Sequence, residues 1–239
     1  REGGRGRKVL LCRVNRCCLA AGTLVMGRIK GVARPALATV IPSPVRPSSC
    51  ATSGRTPNCK PEYLVQFGQD GVDLRGEGYR HRASSRRAAQ HRRGGHEGSQ
   101  FAQEAHGLLR ERLSNFAGNA EGSDILLRIR RHHHDGFTGN VCLKTIEGTS
   151  KTLFKTLKSI MMSTPLTKLG ALAIKGGLKQ LMAQVSPDTY GGAPLLGVKG
   201  ALLVGHGSSN ALAVKNGVLT TARIARTGVS DIIAQTVAT

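Results

Sequence analysis

Three glycine-rich strings in the C-terminal half of the chain have the residue types and the placement to meet an anion. They are Asp135-Gly136-Phe137-Thr138-Gly139-Asn140, Tyr190-Gly191-Gly192-Ala193 and Gly205-His206-Gly207-Ser208-Ser209-Asn210. Each is placed to open a helix, where unpaired backbone N–H groups and the helix dipole favour negative charge and glycine lets a ligand approach the backbone. The third string is the clearest. Ala201 to Val204 reads as a short buried strand, and residues 211 to 226 read as an amphipathic helix with Leu212, Leu219 and Ala222 on one face. Strand, glycine turn and helix in that order can hold phosphate, and the same order also describes an ordinary β-α turn with a Ser or Asn cap.

Between the second and third helix-opening strings and the first lies a long helical stretch. From Lys151 onward, Leu153, Leu157, Ile160 and Met161 fall on one face and Lys151, Lys155 and Lys158 on another. Pro165 ends this helix. A second segment groups Leu166, Leu169 and Ala173, is expected to loosen at Gly176 and Gly177, and resumes with Leu178, Leu181, Met182 and Val185. The hairpin 151–185 has two readings: an interface between two copies of the chain, or a basic, apolar tip resting on anionic lipid.

The six cysteines, at 12, 17, 18, 50, 59 and 142, show no CxxC spacing, so neither a zinc ribbon nor a redox motif is supported. His132, His133, His134 and Asp135 offer metal-ligating atoms, but adjacent residues on a strand point in opposite directions, and no metal is expected. The N-terminus is Arg-rich without an apolar signal region, and no apolar run approaches the roughly 18 residues a membrane span needs. A cytoplasmic location is expected.

Longer strings are more specific than any turn. "DGFTGNVCLKTIEGTSKTLFKTLK", "YGGAPLLGVKGALLVGHGSSNALAVKNGV" and "NFAGNAEGSDIL" resemble, in order and spacing, the C-terminal part of the bacterial phosphate acyltransferase (PlsX) family; "GTLVMGRIKGVARPALATVIPSP" and "CKPEYLVQF" resemble its middle portion. The family's N-terminal third has no counterpart, so the chain is expected to be a fragment. The resemblance implies an α/β protein, a three-layer α/β/α sandwich with a mainly parallel sheet, similar to phosphotransacetylases and the isocitrate dehydrogenase-like fold. It implies transfer of a fatty acyl group from acyl carrier protein to inorganic phosphate, with no cofactor, in a homodimer peripherally associated with the membrane.

That reaction needs an anion held in place, a stabilised tetrahedral oxyanion and exclusion of water, and it needs no enzyme nucleophile. Lys144, near the second turn, is then a charge clamp, His206 an acid–base group or an orienting one, and Asp135 a helix cap or a catalytic group. Gly136, Thr138, Gly139, Asn140, Gly207, Ser208, Ser209 and Asn210 are the candidate phosphate contacts. Asn119, Glu121 and Gly122, in the family-like "GNAEG", are expected at another strand-end turn on the same cleft.

Between these islands the composition shifts abruptly. Of 23 Arg, 17 lie in residues 1–18, 45–58, 68–96 and 128–134, whereas from Asp135 onward Lys outnumbers Arg nine to two. Re-reading possible codons one nucleotide later turns Gln90-His91-Arg92-Arg93 into Asn-Ile-Gly-Glu and residues 68–97 into a family-like "AKMGS.YAEKV.GIE.PRVGLLNIGEE". Ser48 to Pro57 becomes "VVLRDVGPNA", and Arg128 to His134 becomes "GYVDIIM". We infer that the translated frame slips several times, which leaves two readings: the phosphate acyltransferase, or a non-functional remnant of it with no stable fold.

The net charge of +21 and the pI near 10.8 then mislead, because the suspect segments hold 17 Arg and one Lys against four acids. With aromatics at 3 % and no Trp, no stacking platform for single strands is present, and nucleic acid is not an expected partner. Two portions are expected: 1–97, carrying the out-of-frame segments, and 98–239, carrying the hairpin. As written, Arg128-Ile129-Arg130-Arg131-His132-His133-His134 is not expected to form a core strand, since buried parallel strands are nearly continuous apolar runs.

Overall fold

The computed structural model describes residues 9–12, 15–41, 48–52, 59–69, 86–89, 99–113, 116–127, 131–207 and 209–238. Its strands are β1 (Val9–Cys12), β2 (Ala36–Ile41), β3 (Ser48–Thr52), β4 (Arg86–Ala89), β5 (Phe116–Ala120), β6 (Arg131–His134), β7 (Ala193–Leu196) and β8 (Ala201–Val204). Its helices are α1 (Asn15–Ala20), which continues as a π-helical turn Ala21–Met26, α2 (Pro61–Gln69), α3 (Gln100–Arg112), α4 (Gly122–Leu127), α5 (Gly136–Met161), α6 (Pro165–Val185), α7 (Ala211–Thr227) and α8 (Val229–Ala238). A 3-10 turn, Pro187–Thr189, follows α6.

The strands form one open sheet in the order β1-β8-β7-β2-β3-β6-β4-β5. The class is α/β, but the sheet is mixed. It is parallel where β1 meets β8 and through β3, β6, β4 and β5, and antiparallel where β7 meets β8 and β2 and where β2 meets β3. Connection length explains the β7–β8 pairing: Gly197 to Gly200 alone separate those strands, and a parallel crossover needs a dozen or more residues. The core draws on residues from both sides of position 97, with Ile29, Leu64 and Phe67 in one cluster with Leu109, Leu203, Ile224 and Ile233.

β8 and α7 form as the sequence indicates. Ala201, Leu202, Leu203 and Val204 are all buried. The buried face of α7 differs from the expected one, however: Ala213, Gly217, Thr221 and Ile224 face inward, while Leu212 and Leu219 are exposed and Ala222 is half-buried. Close approach selects the small residues. A Cβ on Gly191 would lie 2.1 Å from the backbone nitrogen of Gly217, so α7 sits against the 190–192 turn with no room for leucine between them.

The Arg/His run does supply a strand, contrary to expectation. Arg131–His134 is β6, paired in parallel with β3 on one side and β4 on the other; residues 128–130 lie outside the described residues. Histidine makes this feasible because, unlike arginine, it can shed its charge. His133 and His134 are buried, and burial pushes the His134 pKa below 6.5. The ring fills the space over Gly139, where a Cβ would lie 1.9 Å from its Cε1. Folded His134 is therefore neutral while the unfolded chain protonates below pH 6.5. Stability is retained above that value and lost below it, by up to about 1.4 kcal/mol per pH unit until the folded pKa is reached. Urea unfolding at pH 7.5 and 5.5 should show this loss, and His134→Met should reduce it; equal losses in both proteins would exclude His134 as the source.

The hairpin is two long helices. Thr164 and Thr167 form a reciprocal capping box with Pro165 at the start of α6, and α6 continues through Gly176 and Gly177 without the expected interruption. Its apolar residues are largely uncovered in the single chain. Leu153, Ile160, Met162, Leu166, Leu169 and Leu172 are exposed, and Ala171 is buried in α6. Among the described residues, no helix is long and apolar enough to cross a membrane.

Candidate functional site

The start of α7 is held by one side chain with two jobs. The Asn210 Oδ1 accepts the Ala213 amide at 2.9 Å, which caps the helix, and its Nδ2 donates to the Asp188 carboxylate at 2.8 Å. Before it, the His206 carbonyl accepts both the amide and the hydroxyl of Ser209, at 3.1 and 2.7 Å. Ser208 lies outside the described residues. Gly207 is exposed, its φ is not in the left-handed region, and a Cβ there would meet nothing within 4 Å. Neither the fold nor the backbone at this turn demands that glycine.

Lys144 reaches this turn from α5. Its Nζ lies 3.3 Å from the His206 Nε2 and 2.7 Å from the Glu147 Oε2. An ammonium only donates, so in this contact the His206 Nε2 is the acceptor. The sequence expectation set Lys144 near the second glycine turn; the structure sets it on the third. Glu147 was not expected. Its spacing of three residues from Lys144 on one helix was the available signal.

The other candidates make different contacts. At the start of α5, the Asp135 carboxylate accepts the Phe137 and Thr138 amides at 2.8 and 2.9 Å, and the Thr138 hydroxyl as well. The Gly139 amide bonds the Asp135 carbonyl. The negative charge at this helix start is therefore the chain's own, and Asp135 is a cap. Gly136 and Gly139 are buried, and Asn140 is exposed on the helix. At the second string, Gly191 and Gly192 have φ of 76° and 156° and approach α7 and the Val204 carbonyl closely, so packing accounts for them.

Asn119, Glu121 and Gly122 follow β5, which is six places from β8 along the sheet. Asn119 is buried with its Oδ1 2.9 Å from the His106 Nδ1, the Glu121 carbonyl accepts the Asp124 amide, and Gly122 opens α4. The structure thus joins Lys144, Glu147, His206, Ser209, Asn210 and Asp188, and leaves the β5 group apart. Lys144 and Asn210 converge although 66 positions separate them.

The profile of a family described as "Fatty acid synthesis protein" matches residues 16–232. The chain is 42 % identical over 210 residues to a protein named phosphate acyltransferase in Thermus thermophilus, covering 84 % of the chain and 62 % of that relative. It is 39 % identical to the protein of that name in Alkaliphilus oremlandii, covering 84 % and 60 %, and 36 % identical to the one in Campylobacter jejuni subsp. doylei, covering 90 % and 66 %. The chain spans about three fifths of the length of the first of these relatives.

Proposed function

The chain belongs to the "Fatty acid synthesis protein" family, and from that premise we propose that the whole protein transfers a fatty acyl group from acyl carrier protein to inorganic phosphate. The observation that carries this reading is the meeting of Lys144 with His206 at the glycine turn before α7. A positive charge, a turn open at Gly207 and the first amides of a 17-residue helix lie together there, which suits a phosphate nucleophile. In the reaction a phosphate oxygen forms a bond to the thioester carbonyl carbon, the tetrahedral oxyanion collapses, and the carrier thiolate leaves with acyl phosphate as the product. Lys144 holds the phosphate charge, with Glu147 steadying it. His206, accepting from Lys144, serves to orient that ammonium.

The remaining elements follow from the same reading. The sheet belongs to a three-layer α/β/α sandwich like that of the phosphotransacetylases. The uncovered hairpin α5–α6 is the surface for a second copy in a homodimer and for an anionic membrane from the cytoplasmic side, its lysines each adding about 1 kcal/mol near anionic lipid. Ser208 takes part through the glycine turn itself.

The test is Gly207→Val. Because a Cβ at Gly207 meets nothing within 4 Å, the fold should accept valine with an unchanged melting temperature. The apparent phosphate KM for acyl phosphate formation from an acyl carrier protein thioester should rise by about tenfold or more, the equivalent of about 1.4 kcal/mol. Unchanged phosphate dependence in this variant removes the turn from the site, and absence of acyl phosphate with the whole protein removes the function.

A further inference from the structure

We propose that Asp188 is a positioning residue for the 205–210 turn; the inference rests on the reading of that turn as the phosphate site. The 3-10 turn Pro187–Thr189 is fastened along α7. The Asp188 carboxylate receives the Asn210 Nδ2 at 2.8 Å, the Asp188 carbonyl receives the Asn216 Nδ2 at 2.9 Å, and the Tyr190 carbonyl receives the Thr220 hydroxyl at 3.4 Å. At its other end, the Thr189 hydroxyl donates to the Ala183 carbonyl in the last turn of α6 at 2.7 Å.

Asn210 has one donor end and one acceptor end, and only the acceptor can cap a helix. With Nδ2 on a carboxylate, a flipped amide would set its oxygen against another oxygen. Asp188 therefore decides that Oδ1 faces the Ala213 amide, and this fixes the first turn of α7 directly after Ser209 and the His206 carbonyl it engages. A carboxylate near a phosphate site works against the anion electrostatically. Its presence there is explained by geometry rather than by charge.

The two roles separate cleanly in variants. Asp188→Asn keeps an acceptor for Asn210 and removes the charge, whereas Asp188→Ala removes both. In the full chain, Asp188→Ala should raise the phosphate KM about five- to tenfold, as loss of one charge-assisted hydrogen bond allows, with kcat little changed. Asp188→Asn should stay within about twofold of the parent. Hydrogen exchange of the Ala211–Val214 amides, read in the same proteins, should speed up about tenfold in Asp188→Ala and not in Asp188→Asn. This second reading needs no activity. If the whole protein forms no acyl phosphate, the proposed function fails, and exchange alone decides the role of Asp188. Parental exchange in Asp188→Ala overturns the inference, and so does faster exchange with an unchanged phosphate KM.

Discussion

Gly191→Ala should be among the most damaging single methyl additions at the described glycines. The added carbon would lie 2.1 Å from the Gly217 nitrogen and 2.5 Å from its Cα, both backbone atoms of α7 that no rotamer change can move aside. The position also has φ of 76°, which costs an L-residue about 1 to 2 kcal/mol before any clash. Relief requires α7 to lift from the turn, opening the face that buries Ala213, Thr221 and Ile224. A destabilisation of about 4 kcal/mol or more is expected, at the upper end of single-substitution effects. Gly148→Ala, with nothing within 4 Å of its Cβ position, is the control and should be neutral or stabilising. Urea unfolding of both decides the matter, and a Gly191→Ala midpoint near that of the parent would show that α7 is not seated as described.

Sequencing the source DNA across codons 45 to 134 should reveal single-nucleotide shifts at the Arg-rich segments. Correcting them, together with residues 1–18, should lower the net charge of +21 by about two thirds, the share those segments carry. The sheet adds a reason the sequence could not. β3, β6 and β4 are consecutive neighbours, and all three fall within the re-read segments. Re-reading gives each an apolar run, which is what adjoining parallel strands ordinarily have. Verified DNA that encodes the present residues without interruption ends the frameshift inference.

What the sequence disclosed depended on how local the cause was. β8 and α7 were legible because an apolar run, a glycine turn and a polar cap are all contiguous in the chain. The buried face of α7 was not, because the choice of Gly217 and Thr221 over Leu212 and Leu219 is made by a turn some 25 residues earlier. Likewise the string at Asp135 looked like an anion site by composition, and only the coordinates show that its own carboxylate occupies the amides. Lys144 was nameable as a charge, but its meeting with His206 spans 62 positions. Asp188 sits in no pattern at all, so nothing short of the fold could single it out. The Arg/His strand went wrong for a chemical reason: a rule about permanent charge was extended to histidine, whose charge is conditional.

Both legs of the hairpin end in the site. From Lys144 to Met161, α5 runs about 26 Å away from His206, and α6 returns about 32 Å to the turn that holds Asn210. The ammonium on one side of the glycine turn and the helix cap on the other are therefore the near ends of one continuous stretch of chain, whose far tip exposes Met162 and Leu166.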